Sequence, residues 1–336
     1  MKQYFLALMT LLLGACGVLS TPVAAPTATR VMPTPTQVSP TPPPTQTLEP
    51  FEEDTIDYLR QRPYGGGRIE VLEKLHETDF FTSYAIRYPS DGLTIYGFVN
   101  IPKGAGPFPV IVSVHGYAPP GTYDVFYIHA DFADIFAENQ FVVIHPGLCN
   151  HPPSDPGDDL LRVGMTADVM NLVALLKARG DLPAELAAAN PDVMGLWGTS
   201  LGGEIALRLL TLSPDFRAAV LYSTLSGNIE RNSRQMYETS GDEQFQLDYQ
   251  VPLELMDRIS PMYYYHRILT PVQIHHGLDD TTVPVSWAVE TCDFLQAAGV
   301  SVQCIYYPGV GHVFNRSNFE TLQVRALEFY RLHLSQ

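Results

Sequence analysis

The sequence predicts an α/β fold in which a mainly parallel, doubly wound sheet follows a few N-terminal antiparallel strands and carries a small helical cap. The stretch PVIVSVHG at residues 109–116 is apolar almost throughout, as expected of a strand that is buried on both faces. Short strands and helices then alternate as far as the C-terminus. This alternation favours right-handed crossovers, with helices covering both faces of the sheet.

The elements follow one another in a consistent order. Three antiparallel strands, IEVLEKLH, TSYAIRYPS and LTIYGFVNIP, precede the buried strand at 109–116. Further strands are predicted at FVVIHP, DVMGLW, RAAVLY, PVQIHHG and VQCIYYP, and helices at residues 126–138, 160–179, 201–212, 285–297 and 318–334. In such folds ligands bind beyond the carboxyl ends of the strands. Each catalytic residue should therefore follow a strand.

Size and charge limit the classes of function. The chain has 336 residues, 46% of them hydrophobic, which is enough for one large core without requiring a second. Its formal net charge of −16 argues against a nucleic-acid partner, because binding to phosphates requires a basic surface.

The N-terminus has the features of a bacterial secretion signal. Lys2 precedes a short apolar stretch, and LGAC at residues 13–16 resembles the lipobox of bacterial lipoproteins. The resemblance implies that residues 1–15 are removed and that Cys16 carries a lipid, which anchors the protein to a bacterial membrane outside the cytoplasm. The alternative is an ordinary signal cleaved near Ala25.

Residues 16–50 are rich in Thr and Pro and include PTPTQVSPTPPPTQT. A segment of this composition has no apolar face to bury, so we expect a disordered tether between the lipid and the folded part. The catalytic domain is then predicted at residues 51–336, with a cap insertion at about 223–258.

Three cysteines remain besides Cys16, namely Cys149, Cys292 and Cys304. Cys292 lies in a helical pattern and Cys304 in the strand that follows, so both could face the core between these elements. We expect two free buried thiols, with a disulfide as the alternative.

The stretch GLWGTSLGG at residues 195–203 directly follows a predicted strand and precedes a helix. The spacing of Gly198, Ser200 and Gly202 is typical of a nucleophile elbow, a strained turn that lifts a serine hydroxyl above the sheet. The same turn leaves the backbone N–H of Leu201 at a helix N-terminus, where it can stabilise an oxyanion. The alternative is a glycine-rich packing turn without chemistry.

A serine nucleophile needs a histidine base and an acid that orients the histidine. Both residue types follow Ser200 in the expected order. HHGLDDTTVP comes after the strand PVQI, and YPGVGHVF comes after the strand VQCIYY.

From about residue 86 to the C-terminus, the chain resembles the catalytic domain of the prolyl oligopeptidase family of serine hydrolases and related esterases, within the α/β-hydrolase fold. The resembling segments are residues 91–117, 195–203, 259–284 and 306–314. The resemblance implies that Asp280 is the acid, with Asp279 as the second choice, and that His312 is the base. It also places the second oxyanion donor at the backbone N–H of Tyr117, although the second glycine that relatives carry after His-Gly is missing here.

Other histidines have the chemistry of metal ligands. His275 and His276 lie beside the acid turn, but a single ligand-rich stretch is a weak indication, and we predict no metal and no cofactor. His145, Cys149 and His151 are interpreted as a pocket-lining loop, and His115 as a residue that shapes the His-Gly turn.

These motifs do not distinguish between an ester bond and a peptide bond as the bond that is cleaved. Peptidases of this family usually carry a β-propeller before the catalytic domain, and we expect none here, so that only the cap covers the site. The cap residues Tyr237 and Tyr249 are interpreted as surface residues, and Glu254 is a weak candidate for binding a free amino terminus. Three hypotheses remain, namely a hydrolase of esters, a peptidase acting on short peptides, and a binding protein without catalysis.

Overall fold

The computed structural model describes residues 49–119, 122–126 and 130–335. The chain divides into two units, Met1–Thr47 and Leu48–Gln336, and every element below belongs to the second unit. The predicted signal peptide, the lipidation site Cys16 and nearly all of the predicted tether lie outside the described residues.

A single nine-stranded sheet forms the centre of the Leu48–Gln336 unit in the described residues. Its strands are β1 (Glu70–Glu77), β2 (Phe81–Ser90), β3 (Leu93–Pro102), β4 (Phe108–Val114), β5 (Val142–Pro146), β6 (Ala189–Thr199), β7 (Phe216–Tyr222), β8 (Val272–Gly277) and β9 (Val302–Tyr307). They lie in the order β1-β2-β3-β5-β4-β6-β7-β8-β9. The pairs along β1, β2, β3 and β5 are antiparallel, and all later pairs are parallel. The predicted α/β-hydrolase fold is thereby confirmed.

The helices cover both faces of the sheet. They are α1 (Ile56–Gln61), α2 (Ala130–Glu138), α3 (Val163–Lys177), α4 (Leu201–Leu212), α5 (Ile229–Ser240), α6 (Gln244–Leu247), α7 (Leu253–Ile259), α8 (Val285–Ala297) and α9 (Arg316–Leu334). Helices α2 and α9 pack on one face, and α3, α4 and α8 pack on the other. None of the helices described here is long and apolar enough to cross a membrane.

Strand β6 shows why the parallel strands are apolar in sequence. Leu196 belongs to the hydrophobic cluster on one face of the sheet, and its neighbour Trp197 belongs to the cluster on the other. Because successive side chains point to opposite faces, a strand covered on both faces needs apolar residues at every position. Gly195 supplies the space that α9 needs, since a Cβ atom there would lie 2.9 Å from side-chain atoms of Tyr330 and Leu334.

The boundaries of two helices differ from the prediction. The helix predicted at 126–138 begins at Ala130, and the helix predicted at 160–179 divides into a 3-10 helix, Leu160–Arg162, and α3. Leu161 and Arg162 have positive φ angles of 55° and 60°. This left-handed backbone separates the two helices, and apolar periodicity does not reveal it.

The expectation of two free buried thiols was wrong for Cys292 and Cys304. The two residues form a disulfide between α8 and β9, with their Cα atoms 6.5 Å apart. The helix and the strand are adjacent in space, so the cysteines lie within bonding distance. Cys149 is a free, buried cysteine.

The segment predicted as a cap, residues 223–258, contains α5, α6 and most of α7. Tyr249 is 44% exposed, and its ring meets that of Tyr237, which is partly buried against the core. Glu254, in the first turn of α7, is exposed.

Candidate active site

Ser200 lies at the turn between β6 and α4, with the backbone angles φ 52° and ψ −115°. This conformation is rare for a residue other than glycine, and it persists only where the surroundings hold it. Three backbone hydrogen bonds hold Ser200 in this conformation. The Ser200 N–H donates to the Tyr222 carbonyl at 2.9 Å, and the Ser200 carbonyl accepts from Gly203 at 2.9 Å and from Leu225 at 3.1 Å.

Glycines beside Ser200 allow this turn to form. A Cβ atom at Gly198 would lie 2.6 Å from the carbonyl oxygen of Gly202. A Cβ atom at Gly202 would collide with the carbonyl oxygens of Val114 and His115, which end β4 and begin the loop after it. The glycine spacing therefore lets the serine turn approach that loop closely.

His312 follows β9 and reaches Ser200. Its Nε2 atom lies 3.1 Å from Ser200 Oγ. The hydroxyl groups of Tyr222 and Ser223 donate to the His312 carbonyl at 3.2 and 2.9 Å, respectively. Tyr222 is the last residue of β7 and Ser223 follows it, so the end of this strand holds the backbone that carries the imidazole.

Asp280 follows β8 and completes the chain of hydrogen bonds. Its Oδ2 lies 2.8 Å from Nδ1 of His312, and its Oδ1 accepts from the N–H groups of Thr282 at 2.9 Å and Val283 at 2.8 Å. Asp280 is buried, whereas the second choice, Asp279, is exposed. The structure thus brings Ser200, His312 and Asp280 together and leaves Asp279 outside.

The surroundings of Asp280 favour its ionised form. Burial by itself raises the pKa of this carboxyl group, but hydrogen bonds from His276, His312 and the Val283 N–H outweigh it and hold the pKa well below its usual value. The carboxylate is therefore available to pair with a protonated imidazole.

Two backbone N–H groups are candidates for an oxyanion site. Leu201 is the first residue of α4, and Tyr117 lies in the loop after β4. This loop passes directly beside Ser200, since a Cβ atom at Gly116 would lie 3.2 Å from Ser200 Cβ. Neither N–H donates to another residue of the described part of the chain. The hydroxyl of Tyr117 donates to Asp242 of the cap at 3.1 Å.

The neighbouring histidines have other contacts. His275 is fully buried, with Nδ1 2.8 Å from Tyr307 Oη and Nε2 2.8 Å from Gln273 Oε1. Burial lowers the pKa of His275 to about 3. His276 lies 2.9 Å from the Val283 carbonyl oxygen. Within residues 49–119, 122–126 and 130–335 no group of three or more His, Cys, Asp or Glu side chains is arranged to hold a metal ion.

The histidines after β4 and β5 form a buried cluster behind the Tyr117 loop. The ring of His151 packs against the rings of His115 and Tyr123, at centroid distances of 4.6 and 5.0 Å. His145 Nε2 lies 3.1 Å from the Tyr123 hydroxyl. Of the three residues predicted to line a pocket, His151 lies in the wall of the cavity described below, while His145 and Cys149 are buried.

A buried ionic network beneath the cap was not predicted. Arg162 donates from Nε to Glu204 at 2.8 Å, from one terminal nitrogen to Asp248 at 2.7 Å and from the other to Ser233 at 2.9 Å. Asn232 donates to the other oxygen of Glu204 at 2.8 Å. The charged residues at 204 and 208 interrupt the apolar helix LGGEIALRLL, and they are the signal that could have indicated this network.

A small cavity lies between the Tyr117 loop, the start of α4 and the cap. It is lined by Tyr117, Ala118, Asn150, His151, Asp159, Arg162, Met165, Leu201, Asp242, Gln244, Phe245 and Asp248. Both residues with candidate oxyanion N–H groups, Tyr117 and Leu201, belong to its wall. The cavity therefore adjoins the position where a substrate carbonyl would meet Ser200.

Solved structures with a similar fold include esterases and peptidases. Acetyl xylan esterase 1 from Thermoanaerobacterium sp. JW/SL YS485 superposes with a TM-score of 0.59 at 19% identity, covering 84% of this chain and 91% of the esterase. Acylaminoacyl peptidase from Pyrococcus horikoshii superposes with a TM-score of 0.58 at 20% identity, covering 76% of this chain and 41% of the peptidase. These similarities establish the fold.

Sequence comparison identifies the family. The uncharacterized peptidase YuxL of Bacillus subtilis (strain 168) is 24% identical over 253 residues, which are 71% of this chain and 36% of YuxL, so the chain spans little more than a third of that relative. The model of the prolyl oligopeptidase family matches residues 167–335, about half of the chain. The chain therefore belongs to the prolyl oligopeptidase family and has the α/β-hydrolase fold.

Proposed function

We propose that Ser200, His312 and Asp280 are a catalytic triad that hydrolyses esters or short peptides through an acyl-enzyme intermediate. The observation that carries this proposal is the continuous hydrogen-bonded chain, 3.1 Å from Ser200 Oγ to His312 Nε2 and 2.8 Å from His312 Nδ1 to Asp280. A serine, a base and an orienting acid at these distances meet the geometric requirement for nucleophilic catalysis.

Each residue has a distinct part in the proposed reaction. His312 Nε2 accepts the Ser200 proton while Oγ attacks the carbonyl carbon, and His312 then returns the proton to the leaving group. Ionised Asp280 orients the imidazole and stabilises its positive charge. The N–H groups of Leu201 and Tyr117 stabilise the oxyanion, and removal of one such donor costs about 100- to 1000-fold in rate. Water then releases the acyl group by the same steps.

Ester hydrolysis is the first candidate activity. The cavity beside Tyr117 and Leu201 is partly enclosed by the cap, which suits a short acyl group, and the esterase of similar fold is named for an acetyl ester. Peptide hydrolysis is the second candidate, supported by the family match and by the name of the Bacillus relative. A binding protein without catalysis remains the least supported alternative, because the triad geometry is complete.

We further propose that the protein acts outside the cytoplasm of a bacterium, anchored through a lipid on Cys16. The sequence LGAC at 13–16 supports this location. The disulfide between Cys292 and Cys304 also supports it, because disulfides persist in oxidising compartments. Labelling of cells with a fatty acid is expected to tag the wild type but not the Cys16→Ser variant. Tagging of both would exclude this anchor.

One assay tests the activity and separates the three alternatives. Short acyl nitrophenyl esters and aminoacyl or prolyl amides are compared on the purified protein, together with labelling by a fluorophosphonate that reacts with activated serines. We expect ester turnover and labelling to disappear in Ser200→Ala and to persist in Ser317→Ala, which changes an exposed serine on α9. Turnover that persists in Ser200→Ala would exclude Ser200. A wild type that neither turns over substrate nor reacts would point to a binding protein.

A further inference from the structure

The two candidate oxyanion donors are held in different ways. Leu201 is the first residue of α4, so the helix fixes the direction of its N–H. Tyr117 lies within residues 115–119, which have no regular secondary structure, and neither its N–H nor its carbonyl forms a backbone hydrogen bond with a described residue. The position of the Tyr117 N–H therefore depends largely on the contacts of the Tyr117 side chain.

The Tyr117 side chain contacts the cap. Its hydroxyl donates to Oδ2 of Asp242 at 3.1 Å, across 125 positions of sequence. Its ring meets the ring of Phe245 nearly edge to face, with the centroids 5.6 Å apart. A hydrogen bond and a ring contact together restrict both the direction and the distance of the side chain. The loop after β4 is thereby joined to the cap beside Ser200.

Asp242 is itself fixed by the turn between α5 and α6. Gly241 ends α5 in the left-handed conformation, with φ 69°, and the Asp242 N–H donates to Ser240 Oγ at 3.1 Å. Oδ1 of Asp242 accepts from the Gln244 N–H at 3.0 Å. One carboxylate oxygen thus holds the side chain in place. The other oxygen is left to accept from the Tyr117 hydroxyl.

Phe245 connects the same turn to the helix that follows Ser200. Its side chain is 5% exposed, and the guanidinium group of Arg162 lies 5.7 Å from the centre of its ring. Arg162 in turn pairs with Glu204 of α4. Helix α4 begins at Leu201, the other candidate donor. The elements that carry the two N–H groups are therefore linked to each other through the cap.

We propose that Asp242 is a positioning residue, which holds the Tyr117 N–H at the oxyanion site by accepting the hydrogen bond of the Tyr117 hydroxyl. The inference rests on the proposed function, and it makes the cap a part of the oxyanion site. Negative charge on the carbonyl oxygen develops only in the transition state, so a displaced donor weakens the transition state more than the bound substrate. Loss of the contact should lower kcat and leave KM nearly unchanged.

Removal of the Tyr117 hydroxyl tests one side of the contact. Tyr117→Phe keeps the ring beside Phe245 and removes only the donor. On a short acyl nitrophenyl ester we expect kcat to fall about tenfold, less than the 100- to 1000-fold that loss of a whole oxyanion donor costs, with KM within about twofold of the wild type. Tyr249→Phe removes a hydroxyl from an exposed tyrosine of the same cap and should keep the wild-type rate. An unchanged kcat in Tyr117→Phe, or a change in KM alone, would overturn the inference.

A trifluoromethyl ketone distinguishes a displaced oxyanion donor from a general loss of structure. Its carbonyl carbon bonds to Ser200 Oγ, the hydroxyl proton passes to His312, and the electron pair of the C=O bond moves to the oxygen, which becomes an oxyanion. We expect its Ki in Tyr117→Phe to rise by the factor by which kcat/KM falls. Urea unfolding of the same variant shows whether it is folded. A wild-type Ki in a folded variant with reduced kcat would contradict displacement of the donor.

A double-mutant cycle tests the part of Asp242. We expect Asp242→Ala to reproduce the loss of kcat in Tyr117→Phe, and Asp242→Asn, which keeps a polar group of the same shape, to retain most of the rate. The variant with both Asp242→Ala and Tyr117→Phe should be no slower than either alone, because the two changes remove one interaction. Additive losses would show that Asp242 does not act through Tyr117. An inactive wild type would count against the proposed function, whereas an active wild type with unaffected variants would count against this inference alone.

Discussion

Arg162 and Glu204 form an ion pair that is completely buried beneath the cap, with 2.8 Å between Nε and Oε1. Glu204 lies in the first turn of α4, four residues after Ser200, whereas the other partners of Arg162, Ser233 and Asp248, belong to the cap. The pair therefore joins α4, the helix that follows Ser200, to the base of the cap. In the described structure the base of the cap is a fixed wall of the site.

Substitution of Arg162 should destabilise the whole unit. Arg162→Met leaves Asp248 buried without its cation and leaves Glu204 with Arg208 alone, at 3.7 Å, and loss of one partner of a buried pair typically costs about 3–5 kcal/mol in the free energy of unfolding. Urea unfolding measures this change. Arg316→Met removes an ion pair whose arginine is 93% exposed, and it should cost no more than about 1 kcal/mol. Equal losses in the two variants would contradict a structural role for the buried network.

Asp280 and Asp279 should differ sharply in catalysis. Asp280→Asn removes the charge that orients and stabilises His312, and we expect kcat to fall by about 10³- to 10⁴-fold, as in other serine triads. Asp279 is exposed, and in the described residues His312 Nδ1 is paired with Asp280 instead, so Asp279→Asn should keep nearly full activity. Steady-state rates on one ester compare the two. A large loss of activity in Asp279→Asn, without a comparable loss in Asp280→Asn, would identify Asp279 as the acid.

Asp159 should make stability depend on pH. Burial is the main cause that raises its pKa from 3.8 to about 8, while the Met165 N–H and Arg162 oppose the rise and Asp168 and Asp248 add to it. The folded state then holds a proton that the unfolded state releases, so this group's contribution to stability falls as the pH rises from about 4 to about 8. Asp159→Asn should accordingly gain stability over the wild type as the pH increases through this range.

Urea unfolding of the wild type and of Asp159→Asn at about pH 5 and about pH 8.5 measures the difference in their free energies of unfolding. Contributions from groups that titrate alike in the two proteins cancel in this difference. Asp158→Asn, at the exposed neighbouring position, should show no such trend. A constant difference between Asp159→Asn and the wild type at the two pH values would show that Asp159 is ionised throughout.

The disulfide should contribute to stability rather than to catalysis. Cys292 and Cys304 are 12 positions apart, and closing a loop of this length stabilises a fold by about 2–4 kcal/mol. Reduction with dithiothreitol should lower the free energy of unfolding by that amount, with the thiols then reacting with an alkylating reagent. The variant in which both cysteines are replaced by serine should start from the lower stability and respond little to reductant. Identical stability with and without reductant would mean that the bond is absent in solution.

The sequence predicted the fold well because the relevant signals are local. A strand buried on both faces needs apolar residues throughout, and β4 and β6 show this directly. The serine turn needs glycines wherever backbone atoms approach closely, and Gly198 and Gly202 meet that need. The order serine, acid, histidine along the chain follows from the order of β6, β8 and β9 in the sheet. In the structure Asp280 is buried and Asp279 is exposed. The sequence does not reveal this difference, because the two aspartates are adjacent.

Features that depend on distant contacts were not predictable in this way. The pairing of Cys292 with Cys304 depends on how closely α8 lies against β9. The break at Leu161 and Arg162 depends on the contacts of Arg162 with Asp248 and Ser233, more than 70 positions away. The cavity depends on the Tyr117 loop and the cap meeting in space. The sequence indicates such arrangements only indirectly, for example by a charged residue in an apolar helix.

The construction of the cap has a consequence for altering selectivity in the proposed reaction. Its base is held by buried charges, but Glu243, Gln244 and Gln246, which follow the Tyr117 partner Asp242, are exposed, and Gln244 also lines the cavity. Substitutions confined to these three positions should alter the cap beside the cavity without removing a charge of the buried network. Natural divergence of substrate preference among homologues is accordingly expected to concentrate at such exposed cap positions.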